Sequence, residues 1–316
     1  MKKFVSIACV FVFVIMCFSG CGQTEKYISV GTGSVMGVYY PLGGALSTLI
    51  TNEIDGYSCS AESTGGAVEN ATLIVEGGLD IGFVDAKTVY DVQHGNDSFA
   101  GKDTDKCLAL FSFFPEVVQI VSTDENVKTV EDLRGKRVAV GQTGTSTQVM
   151  AKTILELYGM TYDDIKADYL GFSDAASGMK DNTVDVAFTW AGIPTASVQE
   201  LGTTHGISII SFTDAELEKL MTVSPYCVAT TITKDHYASL YADAQTFAIP
   251  AIVCASADLS EEFVYDLMVT VFENLDVFAQ THERGGDLSL ESALNGLDGA
   301  KLHPGARKFF EEKGLL

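Results

Sequence analysis

The feature that most constrains this fold is a unit that occurs three times in the first half of the chain. In each unit an apolar strand pattern leads into a turn rich in Gly, Ser and Thr, and the turn opens a helical pattern. The strand and turn segments are 27–30 with 31–43, 57–61 with 62–66, and 138–140 with 141–147. This alternation of strands and helices predicts α/β layers around a mainly parallel sheet.

The three turns predict a cleft for an anion. Each turn offers backbone N–H groups and hydroxyls at the N-terminus of a helix, which is the positive end of its dipole. A single turn of this kind is fully explained as a helix cap. Three turns at the same edge of a parallel sheet favour a site for a small carboxylate, because ligands bind at that edge in α/β folds. The turn residues are Gly33, Ser34, Ser63, Thr64, Gly65, Gly66, Gly144, Thr145 and Ser146.

The sequence shows no catalytic, metal or nucleotide motif. The five His residues stand far apart and match no metal-ligand spacing. The third turn lacks the Lys of a P-loop, and the first turn does not have the G-x-G-x-x-G spacing. We therefore expect no metal, no cofactor and no enzymatic activity, although catalytic groups that are distant in sequence can still converge in a fold.

The charge of the chain indicates how an anion would be held. The net charge is −22, which argues against nucleic acid as a partner and against steering of anions by the overall field. The four Arg residues stand at 134, 137, 284 and 307, outside the three turns, so no arginine clamp on a carboxylate is expected. Asp85, which ends the strand pattern 81–84, can hold a ligand ammonium, and this would favour an amino acid. A solvated Asp85 is an equally good interpretation.

The single tryptophan of the chain has two interpretations. Trp190 follows the strand pattern 185–189 and precedes the helical pattern 196–201. A Trp at such a turn commonly packs at a domain edge. Aromatic side chains also line concave sites, so contact with a ligand is the alternative.

The N-terminus predicts export. Lys2 and Lys3 precede an apolar run over 4–18, which is short for a membrane-spanning helix and typical of a signal peptide. The small residues before Cys21 resemble a bacterial lipoprotein processing site. We expect a signal peptide over 1–20, a lipid on Cys21, a tether over 21–26 and an extracytoplasmic protein anchored to the cell membrane. An uncleaved anchor with an incidental Cys is the alternative.

The remaining cysteines leave the redox state open. They are Cys59, Cys107, Cys227 and Cys254, and none has C-x-x-C spacing. Outside the cytoplasm they can pair as disulfides. Three of them lie in apolar runs, so buried free thiols are an equally good interpretation.

The length of 316 residues predicts two α/β domains with the chain crossing between them near Pro115 and again within 225–232. Lobe 1 is expected to contain 27–115 and 230–316, and lobe 2 to contain 116–229. The long apolar pattern at 247–255 would return to the first lobe.

Four motifs in order resemble the TAXI family, the extracytoplasmic solute receptors associated with TRAP transporters. They are G-T-G with G-V-Y-Y-P within 31–41, S-T-G-G-A-V-E-N at 63–70, D-L-R-G-K-R-V at 132–138, and L-H-P-G-A at 302–306. The resemblance extends over nearly all of the mature chain. It implies a periplasmic-binding-protein fold of type II, with two α/β lobes joined by a hinge that closes on the ligand.

The resemblance also implies a function. It identifies the chain as a monomeric receptor that delivers a small carboxylate, such as glutamate or glutamine, to a TRAP permease with fused membrane subunits. On this basis the candidate ligand contacts are the turn residues together with Tyr39, Asp85, Trp190, Gly192 and Pro194. Val35 and Met36 stand where the family has smaller residues, and we expect them beside the ligand, where they can change its specificity.

Two other classes remain. The same fold can serve an ABC importer or a sensor system, and an extracytoplasmic enzyme is the third possibility.

Overall fold

The computed structural model describes residues 25–223 and 226–316. The predicted signal peptide, Cys21 and most of the tether therefore lie outside the described residues. The strands are β1 (Lys26–Gly31), β2 (Tyr57–Glu62), β3 (Ile81–Asp85), β4 (Cys107–Ser122), β5 (Arg137–Ala139), β6 (Lys166–Asp168), β7 (Val186–Ala191), β8 (Ser208–Ile209), β9 (Val228–Ile232) and β10 (Ala244–Ser256). The helices are α1 (Tyr39–Glu53), α2 (Ala67–Glu76), α3 (Ala86–His94), α4 (Ser146–Leu157), α5 (Phe172–Lys180), α6 (Ala196–Gly202), α7 (Asp214–Val223), α8 (Glu261–Glu273), α9 (Leu275–Thr281) and α10 (Pro304–Glu312).

The strands form one mixed sheet in the order β2-β1-β3-β10-β4-β7-β5-β6, with β8 paired to β4 and β9 to β10. Parallel pairs lie at both ends, between β1 and its neighbours β2 and β3, and between β5 and its neighbours β6 and β7. The two central strands, β4 and β10, run antiparallel to each other and to β3 and β7. The expectation of a mainly parallel sheet is thus correct for the two outer parts and wrong for the centre.

The two long central strands connect the outer parts of the sheet. β4 is one continuous strand of 16 residues that runs through Pro115, near which the sequence predicted the chain to cross between domains. Its first part pairs with β10, and from Val117 onward it also pairs with β7. Register shifts in the β4–β10 pair occur near Pro250, which has no N–H to donate to the ladder. The centre of the molecule is therefore a ladder that both outer parts share.

Three buried apolar clusters surround this sheet. One packs α1, α8 and α10 against β1 and β3, and its members include Leu42, Phe83 and Phe309. Another contains Ile232, Tyr237 and Ala244 together with side chains of β7 and α6. The predicted boundary at residue 230 assigned these three residues to lobe 1. The lobe boundaries stay a prediction, and the packing favours a return of the chain within β10.

Local signals account for several helix ends. α2 begins directly after the second Gly-rich turn, and Ser260 caps α8 by accepting a hydrogen bond from the backbone N–H of Phe263. α8 ends at Glu273, and α9 begins at Leu275.

Two further observations concern the part of the chain that the structure describes. Over 25–223 and 226–316, no helix combines the length and the apolar character that crossing a membrane requires. Cys59, Cys107 and Cys254 are free thiols, and Cys107 and Cys254 are buried. The free-thiol interpretation of these cysteines is the one that the structure supports.

Candidate functional site

A cleft lies where the N-termini of four helices converge on the central strands. The segments before α1, α2, α4 and α5 line it, and β4 and β7 form its floor. Its lining residues are Gly33, Ser34, Gly37, Val38, Tyr39, Thr64, Gly65, Gly66, Ala67, Glu116, Gly141, Gln142, Thr145, Ser146, Thr147, Leu170, Gly171, Phe172, Trp190 and Ala191. None of them is Lys, Arg or His, so any positive potential comes from backbone dipoles.

A buried asparagine joins the first two turns. Asn70 is fully buried in α2, and its amide nitrogen donates hydrogen bonds of 2.7 Å to the carbonyl oxygens of Thr32 and Phe83. Its amide oxygen accepts a hydrogen bond of 2.7 Å from the Thr64 hydroxyl. The Ser63 hydroxyl donates to the carbonyl oxygen of Gly33 at 2.8 Å. The hydroxyls of this turn therefore hold the two turns together.

Three of the four helices begin without a side-chain cap. The residues before α1, α2 and α5 make no side-chain cap hydrogen bond, whereas Thr145 caps α4. Gly66, which precedes α2, has φ of 94°, a conformation that L side chains rarely adopt. Uncapped first-turn N–H groups need an external acceptor or water, so these helix ends are suited to an anionic ligand.

The walls of the cleft approach each other closely. A Cβ atom placed on Gly65 would lie 3.2 Å from Cγ2 of Thr145, and one placed on Gly37 would lie 3.6 Å from the ring of Phe172. Gly37 and Gly65 come from the β1–β3 part of the sheet, and Thr145 and Phe172 from the β5–β7 part. Glycine at these positions lets the two walls approach without closing the cleft.

A buried carboxyl group forms part of the floor. Glu116 lies on β4 just before the strand begins to pair with β7, and it is only 6% exposed. Oε2 of Glu116 lies 2.5 Å from the hydroxyl of Tyr39. Burial raises the pKa of Glu116 well above its usual range, and the nearby charge of Asp85 raises it further, while the Tyr39 contact acts in the opposite direction. Burial likewise raises the pKa of Tyr39.

Asp85 has a structural role. Its carboxylate is fully buried and accepts hydrogen bonds of 2.8 Å from both the backbone N–H and the hydroxyl of Thr88. Asp85 is thereby the N-cap of α3. Burial raises its pKa, and the two Thr88 hydrogen bonds and the charge of Lys87 reduce that effect. Asp85 is not among the residues that line the cleft, and its contact with a ligand ammonium stays a prediction.

Trp190 brings an unused donor to the cleft. Its side chain is 7% exposed and lines the floor from β7. The indole Nε1 is buried and has no hydrogen-bond partner. Buried donors without partners are costly in proteins, so this N–H is a candidate to bind a ligand oxygen.

All four arginines are ion-paired with acids away from the cleft. Arg134 pairs with Asp164, Arg137 with Asp185, Arg284 with Glu283 and Asp287, and Arg307 with Glu311. None of the four lines the cleft. This agrees with the expectation that no arginine clamp is available.

The structure brings nine of the sixteen predicted ligand contacts to the cleft. They are Gly33, Ser34, Tyr39, Thr64, Gly65, Gly66, Thr145, Ser146 and Trp190. Whether they bind a ligand stays a prediction. The other seven, which are not among the lining residues, are Val35, Met36, Ser63, Asp85, Gly144, Gly192 and Pro194.

The seven have identifiable reasons for lying outside. Val35 is 56% exposed and Met36 is partly exposed, and their place beside the ligand stays a prediction. The N–H of Gly144 donates to the side chain of Gln148. Gly192 packs against other parts of the chain, because a Cβ there would meet Phe114 and Arg284 at about 3 Å. Pro194 follows Gly192 beyond the end of β7.

Sequence reasoning missed Glu116 and the whole β6–α5 wall with Gly171 and Phe172. The available signal for Glu116 was an acid within the otherwise apolar run of β4. Charged residues are rarely buried without a partner or a function, so that pattern marks a functional candidate.

The fold and the cleft define a class of protein. The mixed α/β architecture is that of the type II periplasmic-binding proteins, in agreement with the fold class that the sequence predicted. The chain belongs to the NMT1-like family, whose profile matches residues 30–314.

Several solved structures are similar to this chain. A protein from Bordetella bronchiseptica is 15% identical with a TM-score of 0.53, and the match covers 92% of this chain and 83% of that one. A proposed L-cystine ABC transporter from Listeria monocytogenes is 15% identical with a TM-score of 0.52, over 84% of this chain and 98% of that one. PhnD1 from Prochlorococcus marinus, in complex with methylphosphonate, is 10% identical with a TM-score of 0.51, over 92% and 99%. At these identities the similarity concerns the fold.

Proposed function

We propose that this chain is an extracytoplasmic solute receptor that binds a small amino acid, such as glutamate or glutamine, and delivers it to a membrane transporter. The observation that carries the proposal is the convergence of four helix N-termini on a cleft without cationic side chains. Such a cleft binds a carboxylate through backbone N–H groups and dipoles. The unpaired N–H of Trp190 adds a hydrogen bond to a ligand oxygen.

Closure of two lobes is the proposed mode of binding. The close approach of Gly65 to Thr145 and of Gly37 to Phe172 is what we expect when the two walls enclose a small ligand. Burial of the ligand strengthens its contacts with the helix ends, because the local dielectric constant falls. The closed form then presents a surface that the open form lacks, and the transporter can distinguish the two.

The TAXI type, with a lipid anchor on Cys21 and a TRAP permease as partner, is our first proposal for the transport system. The four motifs that resemble that family support it. The second candidate is an ABC importer, which is favoured by the similarity of fold to the L-cystine ABC transporter from Listeria. The genes next to this one distinguish them, because a TRAP system has fused permease subunits and an ABC system has an ATPase.

Binding is tested by thermal stabilisation of the purified protein with L-glutamate, L-glutamine, the other amino acids and dicarboxylates. A ligand at 100 times its Kd stabilises the folded protein by about 2.7 kcal/mol. The blocking variant is Gly65→Val. A Cβ there would lie 2.6 Å from Oε2 of Glu69, the end of an exposed side chain, and 3.2 Å from Cγ2 of Thr145 on the opposite wall of the cleft. The matched control is Gly44→Val in α1, where a Cβ meets no atom within 4 Å.

We expect stabilisation of the wild type and of Gly44→Val but not of Gly65→Val. If none of these compounds stabilises the protein at millimolar concentration, the proposal is refuted. Mass spectrometry of the ligand after incubation separates a receptor from an enzyme, because a receptor returns its ligand unchanged.

A further inference from the structure

The cleft floor contains one carboxyl group, and its surroundings decide its protonation. Glu116 is packed between α1, β10 and β7. The titratable groups around it are Tyr39 from α1, Asp85 from the end of β3 and, near Tyr39, Cys254 from β10. The cleft lining supplies no cation, and Lys87 acts on Asp85. Every described group that faces Glu116 is therefore neutral or acidic.

The contacts of Tyr39 are better satisfied when Glu116 carries a proton. The Tyr39 hydroxyl lies 2.9 Å from the carbonyl oxygen of Val84, which only accepts, and also contacts Oε2 of Glu116. A tyrosine hydroxyl has one proton to donate. An ionised Glu116 can take that proton and leave the Val84 contact without one. A protonated Glu116 can donate to the Tyr39 oxygen while Tyr39 donates to Val84, so both contacts are then hydrogen bonds.

A buried acid whose ionisation is opposed by its surroundings is poised to receive a cation. Burial and the nearby carboxyl group of Asp85 both oppose a negative charge on Glu116. A ligand ammonium reverses this balance, because it stabilises the ionised form of Glu116 and also interacts favourably with Asp85. The helix N-termini on the cleft walls provide for the opposite charge on the same ligand.

We propose that Glu116 is the residue that recognises a ligand ammonium, and that its carboxyl proton leaves to solvent when the ligand binds. The cleft then selects zwitterions over acids that lack an amine, and it binds them more tightly as the pH rises. This rests on the proposed function, whose amino-acid ligand it explains. The reaction balances as a neutral carboxyl plus an ammonium giving a carboxylate–ammonium pair plus one released proton.

The sign of the pH effect follows from the proton count. While Glu116 is protonated in the free protein and ionised in the complex, lowering the pH by one unit raises Kd about tenfold. Above the pKa of Glu116 in the free protein the effect disappears. An acid without the amine, which leaves Glu116 protonated, shows no such dependence.

The experiment is titration calorimetry at about pH 7 in buffers that differ in ionisation enthalpy, which counts the protons released. The probes are L-glutamate and glutarate, the same diacid without the amine. We expect release of close to one proton with L-glutamate and none with glutarate. In Glu116→Gln the release disappears, L-glutamate binds at least about 30-fold more weakly, and glutarate binding is unchanged.

Two further variants complete the test. Glu53→Gln, the same substitution at the exposed end of α1, must behave as the wild type. Glu116→Asp keeps a titrating carboxyl, so it must still release a proton, and it replaces Glu116→Gln if that variant does not fold. A melting curve of each variant reports its folding.

The outcomes separate this inference from the proposed function. Equal affinity for L-glutamate and glutarate, or proton release that persists in Glu116→Gln, overturns the role of Glu116 and leaves a carboxylate receptor. If only acids without an amine bind, the role of Glu116 is likewise overturned. If no amino acid and no dicarboxylate binds, the proposed function and this inference both fail.

Discussion

Replacement of Asn70 by alanine tests whether one buried side chain holds the first two turns of the cleft in place. Asn70 makes three hydrogen bonds, to Thr32, Phe83 and Thr64, and its side chain has no exposure to solvent. Each bond contributes roughly 1 kcal/mol net, and a carbonyl oxygen left without a partner costs about 1–3 kcal/mol more. We therefore expect Asn70→Ala to lower the free energy of unfolding by about 3–5 kcal/mol.

The assay is thermal unfolding of the purified protein, monitored by calorimetry. For a chain of this size the loss corresponds to a fall in Tm of about 6–12 °C. Asn52→Ala, on the exposed face near the end of α1, is the matched control and should change the free energy of unfolding by no more than about 0.5 kcal/mol. Asn70→Asp keeps the acceptor but loses both donors and buries a charge, so it should cost at least as much as Asn70→Ala. If Asn70→Ala melts with the control, the network does not hold the turns.

Three further predictions concern the cleft. Because burial raises the pKa of Glu116, the free energy of unfolding of the wild type should fall as the pH rises from the unfolded-state pKa of this group toward its folded-state pKa. The loss should be up to about 1.4 kcal/mol per pH unit. Glu116→Gln should lack this slope, and urea unfolding at several pH values measures it in both proteins. In calorimetry, the double variant Ser63→Ala/Thr64→Ala should weaken L-glutamate binding more than Arg307→Gln does, because the two hydroxyls join the turns whereas the arginine is paired elsewhere. Equal losses of affinity would show that the site is wrongly placed. L-Glutamate should change the fluorescence of Trp190, and an unchanged spectrum at saturating ligand would remove this residue from the contacts.

The sequence predicted those parts of the fold that local signals determine. α1, α2 and α4 begin at the three Gly-rich turns as expected, and β3 ends at Asp85. These features depend on residues within one or two turns of each other, so a single sequence contains the information.

The long-range pairing was not accessible in the same way. β10 inserts between β3 and β4, although more than a hundred residues separate it from either strand in the chain. No local pattern specifies that neighbour, and an apolar run at 247–255 fits a parallel or an antiparallel strand equally well.

The candidate site was predicted where its chemistry depends on backbone and missed where it depends on burial. Gly65, Gly66 and Thr145 follow from the turn pattern. Asp85 was interpreted as a ligand contact or a solvated side chain, although an Asp three residues before Thr88 at the start of a helix is also the pattern of an N-cap. Glu116 was not singled out, because its burial depends on how α1 packs on β4.

The position of Trp190 has a practical consequence. It is the only tryptophan in the chain, and its indole lies on the floor of the cleft with its N–H unpaired. Indole emission shifts with local polarity and hydrogen bonding, so all of the tryptophan signal of this protein originates at the place where a solute would arrive. The molecule therefore contains its own optical probe, and unlabelled protein can be screened against compound libraries by emission alone.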